Sequence, residues 1–131
     1  MLKRLDRIIE KQNEIELQGC IVDLFNQTTE IEKIIYPKIE RLLIEKWHHE
    51  HEDLIGLIWL KEIKDNRFIN PIMIIAENKE IYRPFDDELE STLRKCVHAL
   101  KTIGTKESIL AIEKILESGN DNAKYALENY K

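Results

Sequence analysis

The residues best suited to chemistry lie in one short stretch, WHHEHED, residues 47–53. This stretch places three histidines next to three carboxylates. On a helix His48, His51 and Glu52 share one face, because residues three and four positions apart are neighbours. Two imidazoles and one carboxylate can hold Zn²⁺ and leave one coordination position open, as catalytic zinc sites do.

The spacing of these residues differs from the helical HExxH motif, in which a Glu between the two ligands acts as a base. The chain must also reverse direction near this stretch, and Glu50, Glu52 and Asp53 suit the first turn of a helix, where negative charge is favoured. We therefore predict that the cluster is structural or part of a binding surface, with no metal and no cofactor. A metal-dependent enzyme that uses His48, His51 and Glu52 is the alternative.

Other residues give little support to catalysis. Ser91, Ser108 and Ser118 lack the sequence context of a nucleophile elbow, and neither Cys20 nor Cys96 has a histidine placed to activate it. We therefore predict that the chain is not an enzyme and has no catalytic residues.

Composition limits the class of protein. A chain of 131 residues is expected to form one domain over residues 1–131. Two cysteines among apolar neighbours indicate reduced thiols and a cytoplasmic protein, and no apolar run is long enough to cross a bilayer. For the same reason we expect no membrane partner. The net charge of −5 is spread as alternating signs, so we also expect no nucleic-acid binding.

The chain repeats itself with a period of forty residues. Residues 60–77 align without a gap on residues 100–117. The aligned pairs that agree are Leu60/Leu100, Lys61/Lys101, Ile63/Ile103, Ile69/Ile109, Ile72/Ile112, Ile75/Ile115 and Glu77/Glu117. Helix-forming residues dominate both copies, and such a period is typical of helical solenoids.

The last repeat predicts two helices joined by a tight turn. The first helix has one apolar face, formed by Leu89, Leu93, Cys96, Val97, Leu100 and Ile103. We expect Asp86 or Asp87 to cap its start, and Asp87 with Glu90 fits a capping box. Gly104 is expected to end it, and Thr105 to cap the second helix.

Repeats are predicted at residues 17–46, 47–78 and 86–118, and a capping helix within residues 120–131, from Asn122 to Tyr130. The first repeat is degenerate. At an offset of 38 residues, Val22, Phe25, Ile31 and Ile34 take the places of Leu60, Ile63, Ile69 and Ile72. Thr29 and Glu32 predict a second capping box, and a further helix is expected over residues 1–16.

Two segments, LIWLKEIKDNRFINPIMIIAE and CVHALKTIGTKESILAIEKILESGNDNAKYALE, resemble HEAT-type repeats, including the early proline of the second helix. With WHHEHEDLI they are similar to small stand-alone bacterial HEAT-like proteins, some of which are thought to act as immunity partners of secreted toxins. The resemblance implies an all-α, right-handed α-α superhelix of about three antiparallel helix pairs with a short C-terminal cap. It specifies the fold better than the function.

A non-catalytic protein-interaction module is the function that this architecture predicts. In such a fold the second helices line a concave face, where the expected exposed residues are Arg67, Asn70, Glu77, Lys106, Glu113 and Glu117. The connection NKEIYRPFD, residues 78–86, is longer than a stacked repeat requires. Its Tyr82, Arg83 and Phe85 either bind the partner or cover the core between repeats. An immunity protein that neutralises a toxin is the alternative.

Overall fold

The computed structural model describes residues 1–128, and within them it has nine α-helices and no β-strand. The prediction of an all-α fold is therefore confirmed. The helices are α1 (Leu2–Lys11), α2 (Glu14–Asn26), α3 (Tyr36–Ile44), α4 (His51–Leu60), α5 (Ile69–Glu77), α6 (Lys79–Tyr82), α7 (Ser91–Ile103), α8 (Lys106–Glu117) and α9 (Asp121–Glu128). One turn of 3₁₀ helix precedes α3 at Lys33–Ile35, and another precedes α5 at Asn66–Phe68.

The turn between α7 and α8 forms as predicted. Gly104 has a left-handed φ of 69°, which a glycine adopts without steric cost, and its N–H donates to the Leu100 carbonyl. Thr105 then caps α8, because its hydroxyl oxygen accepts a hydrogen bond from the Ser108 N–H at 3.2 Å. Two residues thus suffice to connect the helices.

Both predicted capping boxes are wrong. Glu90 has a left-handed φ of 46°, and its carboxylate turns towards Lys79 and Asn120 instead of the start of α7. Asp86, the other predicted cap, caps α7, since its carboxylate accepts a hydrogen bond from the Thr92 N–H at 3.1 Å. As a result Leu89 lies before the helix and is exposed. At the other site Thr29 lies in non-helical chain, and α3 begins only after the 3₁₀ turn.

The N-terminal segment forms two helices where one was expected over residues 1–16. Gln12 adopts a left-handed φ of 50° and ends α1. The Asn13 side chain accepts a hydrogen bond from the Glu16 N–H at 3.1 Å and so starts α2. An asparagine side chain can accept a hydrogen bond from a nearby backbone N–H in place of a helix carbonyl, which favours a break and a new helix start at Asn13.

The helices form two layers around one hydrophobic core. In the first layer α4 packs against α2 and α7, and in the second α5 packs against α3 and α8. Contacts of α3 with α4, α5 with α7, and α7 with α8 join the layers. Helix α1 covers one end by packing on α2 and α3, and α9 covers the other end by packing on α7 and α8.

The forty-residue period is visible in the helix boundaries. Helix α4 begins at His51 and α7 at Ser91, while α5 ends at Glu77 and α8 at Glu117. The predicted offset of 38 for the first repeat is wrong in its second helix, because Ile34 is exposed whereas Ile72 is buried. The buried Ile39 takes the place of Ile72, since α3 and α5 are both nine residues long and both follow a 3₁₀ turn.

The predicted C-terminal helix is present as α9, which buries Ala123 and Ala126. The predicted end of this helix at Tyr130 lies outside the described residues. Throughout residues 1–128, every helix is too short or too polar to span a membrane.

Candidate functional site: the histidine cluster, the connection and the second-helix groove

His48 is buried and serves as a backbone cap. Its Nε2 lies 2.7 Å from the Leu42 carbonyl oxygen, and its Nδ1 accepts a hydrogen bond from the Glu50 N–H at 3.0 Å. A ring that accepts at Nδ1 and donates at Nε2 is the neutral tautomer. Desolvation by burial accordingly lowers the pKa of His48 below its ordinary value.

His51, the first residue of α4, has a similar role. Its Nε2 donates to the Glu45 carbonyl oxygen at 2.7 Å, and burial lowers its pKa to about 4. The Tyr82 hydroxyl donates to the neighbouring Ile44 carbonyl at 2.8 Å. Three side chains therefore satisfy carbonyl oxygens at the C-terminal end of α3, which the helix itself leaves without partners.

The arrangement of these histidines provides no set of metal ligands. The Nε2 atoms of His48 and His51 both face carbonyl oxygens, and the Glu52 carboxylate pairs with Lys95 Nζ at 3.1 Å. Within residues 1–128, no three His, Cys, Asp or Glu side chains are placed to share a metal ion. The metal-dependent alternative thus has no ligand set in this part of the chain.

His49 is the one exposed histidine of the stretch WHHEHED. Its backbone N–H donates to Glu14 Oε2 at 3.0 Å, and the centroid of its ring lies 5.6 Å from the centroid of the Phe85 ring. Desolvation tends to raise the pKa of Glu14, but the hydrogen bonds from His49 outweigh it and leave the pKa lowered. His49 thus ties the start of α2 to the loop before α4.

The connection of residues 78–86 is partly structural. Arg83 is buried, and its guanidinium donates to the Ile75 carbonyl at 3.1 Å and the Ala76 carbonyl at 2.9 Å at the C-terminal end of α5. It also pairs with Asp86 at 3.1 Å. Desolvation opposes ionisation of Asp86, yet hydrogen bonds from Thr92 and Arg83 lower its pKa overall.

Other side chains of the connection face solvent. Phe85 is 81% exposed, and Ile81 is also exposed. The two roles considered for this connection are therefore divided between its residues, because Tyr82 and Arg83 hold helix ends whereas Phe85 is accessible.

A groove lies along the second-layer helices and has a volume of about 850 Å³ between α5 and α8. Exposed aliphatic side chains form its floor, with Ile74 39% exposed and Leu110 53% exposed. A second depression continues from Ile74 across α3 to Ile44, which is 40% exposed. The three second helices thus share one accessible apolar strip.

Of the six residues expected on a concave face, all are exposed and four line the groove. The lining residues are Asn70, Glu77, Glu113 and Glu117. Arg67 and Lys106 lie outside it, and Arg67 is paired with Asp65 at 3.5 Å. His48, His51, Tyr82 and Arg83 are buried, and Glu52 lies on α4 in the other layer.

The residues of the apolar groove floor do not stand out in the sequence. Ile44, Ile74 and Leu110 each adjoin a buried or partly buried aliphatic residue, so they look like part of the core stripe. Helical periodicity could have identified them, because each lies one position away from the buried residues that recur every three or four positions.

Comparisons with protein-family models, curated protein sequences and solved structures gave no match for this chain.

Proposed function

We propose that this chain is a HEAT-like, non-catalytic interaction module that binds a protein partner in the groove of its second-layer helices. The observation that carries the proposal is the strip of exposed aliphatic side chains shared by α3, α5 and α8. Contiguous exposed apolar surface is uncommon on soluble monomers and marks interaction sites when polar residues surround it. The forty-residue period of helix boundaries supports the HEAT-like part of the proposal.

The groove can supply both affinity and orientation. Burying Ile44, Ile74 and Leu110 removes apolar area from water, which is the main favourable term in association. The surrounding carboxylates are exposed in the free protein, so ionic contacts at the rim add mainly orientation and association rate.

The buried cluster around His48 and His51 supports this surface indirectly. It holds the C-terminal end of α3 next to α4 and the connection through backbone carbonyls, so this end is fixed without using the side chains of the groove. Phe85 is accessible but lies beside His49 and Glu52 and does not line the groove, so the proposed contact does not depend on it.

Site-specific photo-crosslinking in the native cells tests the proposal. A benzophenone amino acid at Leu110 is expected to give one discrete protein adduct, because Leu110 lies on the groove floor. The matched control places the same group at Val22, an exposed residue of α2 that does not line the groove. The absence of an adduct from Leu110, or the same adduct from both positions, would contradict the proposed function.

A further inference from the structure

The rim of the groove carries a strong excess of negative charge. The part between α5 and α8 is lined by the carboxylates of Glu77, Glu107, Glu113 and Glu117, and by the single ammonium group of Lys114. Within residues 1–128, the carboxylates of Glu77, Glu113 and Glu117 form no ion pair. These charges are therefore available to a cationic partner.

The floor and the rim together require a ligand with two kinds of surface. Ile74 and Leu110 need apolar side chains against them, whereas Glu77 and Glu117 at the edges need cations. An amphipathic helix presents an apolar stripe flanked by charged residues, and helices of this kind lie in apolar grooves of their partners.

The length of the strip suits a short helix. Adjacent packed helices lie about 8–10 Å apart, so the strip from α3 across α5 to α8 extends roughly 16–20 Å. At about 1.5 Å rise per residue, a helix of about 11–13 residues spans that distance.

From this charge and shape complementarity we infer that the occupant of the groove is a basic amphipathic helix of a partner protein. The inference rests on the proposed function and specifies the class of partner. Lys or Arg side chains of the partner flank its apolar stripe and pair with Glu77, Glu113 and Glu117.

Titration with defined peptides tests this inference. The probe is a fluorescent peptide of about 15 residues made of Leu and Lys, with the Leu residues on one helical face. One comparison peptide replaces every Lys by Glu, and another keeps the Leu/Lys composition but shuffles the order so that no apolar face forms. We expect binding of the first peptide only, with affinity falling as salt is raised.

Paired charge reversals locate the binding. Glu113→Lys with Glu117→Lys is expected to weaken binding of the Leu/Lys peptide about tenfold or more, because two rim carboxylates become cations. Glu10→Lys with Glu128→Lys is the control, since it changes the net charge equally at exposed sites outside the groove. Circular dichroism checks folding, and Glu77→Gln with Glu113→Gln replaces the first pair if that variant unfolds.

Four outcomes would overturn the inference. Three of them concern the peptides: equal binding of the Glu peptide, equal loss of affinity in both charge-reversal pairs, and no binding of the Leu/Lys peptide. A dimer in sedimentation that dissociates in the Glu113→Lys, Glu117→Lys variant would also overturn it, because a second copy would then fill the groove. If a crosslinked adduct still forms at Leu110 in these cases, the groove function stands and only the partner class is wrong. If the adduct is also absent, both proposals fail.

Discussion

His48 and His51 stack against each other with ring centroids 4.3 Å apart and ring planes 24° apart, while the Nε2 of each donates to a carbonyl at the end of α3. Stacked neutral rings in a buried position are compatible because neither carries a charge. The stretch that suggested a metal site therefore acts as a set of helix caps, and its chemistry is hydrogen bonding to the backbone.

Replacement of His48 by alanine should lower the free energy of unfolding by roughly 2–4 kcal/mol, because it leaves a cavity and deprives the buried Leu42 carbonyl and Glu50 N–H of partners. Urea unfolding followed by circular dichroism measures the change. The exposed neighbour provides the control, since His49→Ala should change stability by about 0.5 kcal/mol or less. Similar losses in the two variants would contradict the capping role of His48.

The stability of the fold should fall in mild acid because of His51. Its pKa is about 4 in the folded protein and 6.5 ordinarily, so between these values the unfolded chain binds more protons. The contribution is complete above pH 6.5 and is lost as the pH falls towards 4, on the order of 3 kcal/mol in all. His48 acts in the same direction, and the titratable side chains near both rings are those of His49 and Glu14.

Unfolding curves between about pH 6.5 and pH 5 separate the histidines from the carboxylates of Glu14 and Asp86, which titrate at lower pH. Burial also lowers the pKa of His48 and His98, so a variant is needed to assign the part that comes from His51. His51→Gln keeps a donor for the Glu45 carbonyl but does not titrate. The variant should therefore show a shallower pH dependence than the original protein. Parallel curves would exclude His51 as a source of the acid sensitivity.

Arg83→Ala should cost about 2–4 kcal/mol of unfolding free energy, since it leaves the buried Asp86 carboxylate and two carbonyls at the end of α5 without their partner. Arg83→Lys should recover only part of the loss, because an ammonium group cannot reproduce the fork of three bonds. The exposed Arg67 is the matched control, and Arg67→Ala should cost about 0.5 kcal/mol or less. Thermal melts compare the three variants, and an equal loss for Arg67→Ala would count against a structural role for Arg83.

An exposed and a buried phenylalanine should differ in how much their replacement lowers the stability of the fold. Phe85→Ala should leave the free energy of unfolding within about 0.5 kcal/mol of the original, because its ring is 81% exposed. Phe68→Ala should lower the free energy of unfolding by about 3–5 kcal/mol, because the Phe68 ring is fully buried. Its centroid lies 5.6 Å from the centroid of the Tyr36 ring, in an edge-on arrangement. A large loss from Phe85→Ala in urea unfolding would show that the ring packs in solution, which would remove it from the accessible surface.

The two free thiols should resist modification in the folded protein. Cys96 is fully buried and its pKa is raised to about 12, while burial also raises the pKa of Cys20. The thiolate is the reactive form, so a disulfide reagent at about pH 8 should react only slowly with the native protein. After denaturation the same reagent should react with both thiols. Rapid labelling of native protein would contradict the burial of these residues.

The sequence by itself determined the elements that depend on neighbours along the chain. Helical periodicity predicted an all-α fold, and Gly104 with Thr105 predicted the turn between α7 and α8, because a left-handed residue and a side-chain cap act within a few residues. Polarity on the second helices also predicted the exposure of Glu77, Glu113 and Glu117. Local capping signals failed at Glu90, whose carboxylate has partners from other elements.

Tertiary structure alone decided what the histidines, the connection and the aliphatic strip do. Tyr82 caps a carbonyl of Ile44, which lies 38 positions earlier, so no local pattern could assign that role. Ile74 and Leu110 form one groove floor only because α5 and α8 pack side by side. Burial and hydrogen-bond partners depend on which helices become neighbours, and packing of the whole core sets that arrangement.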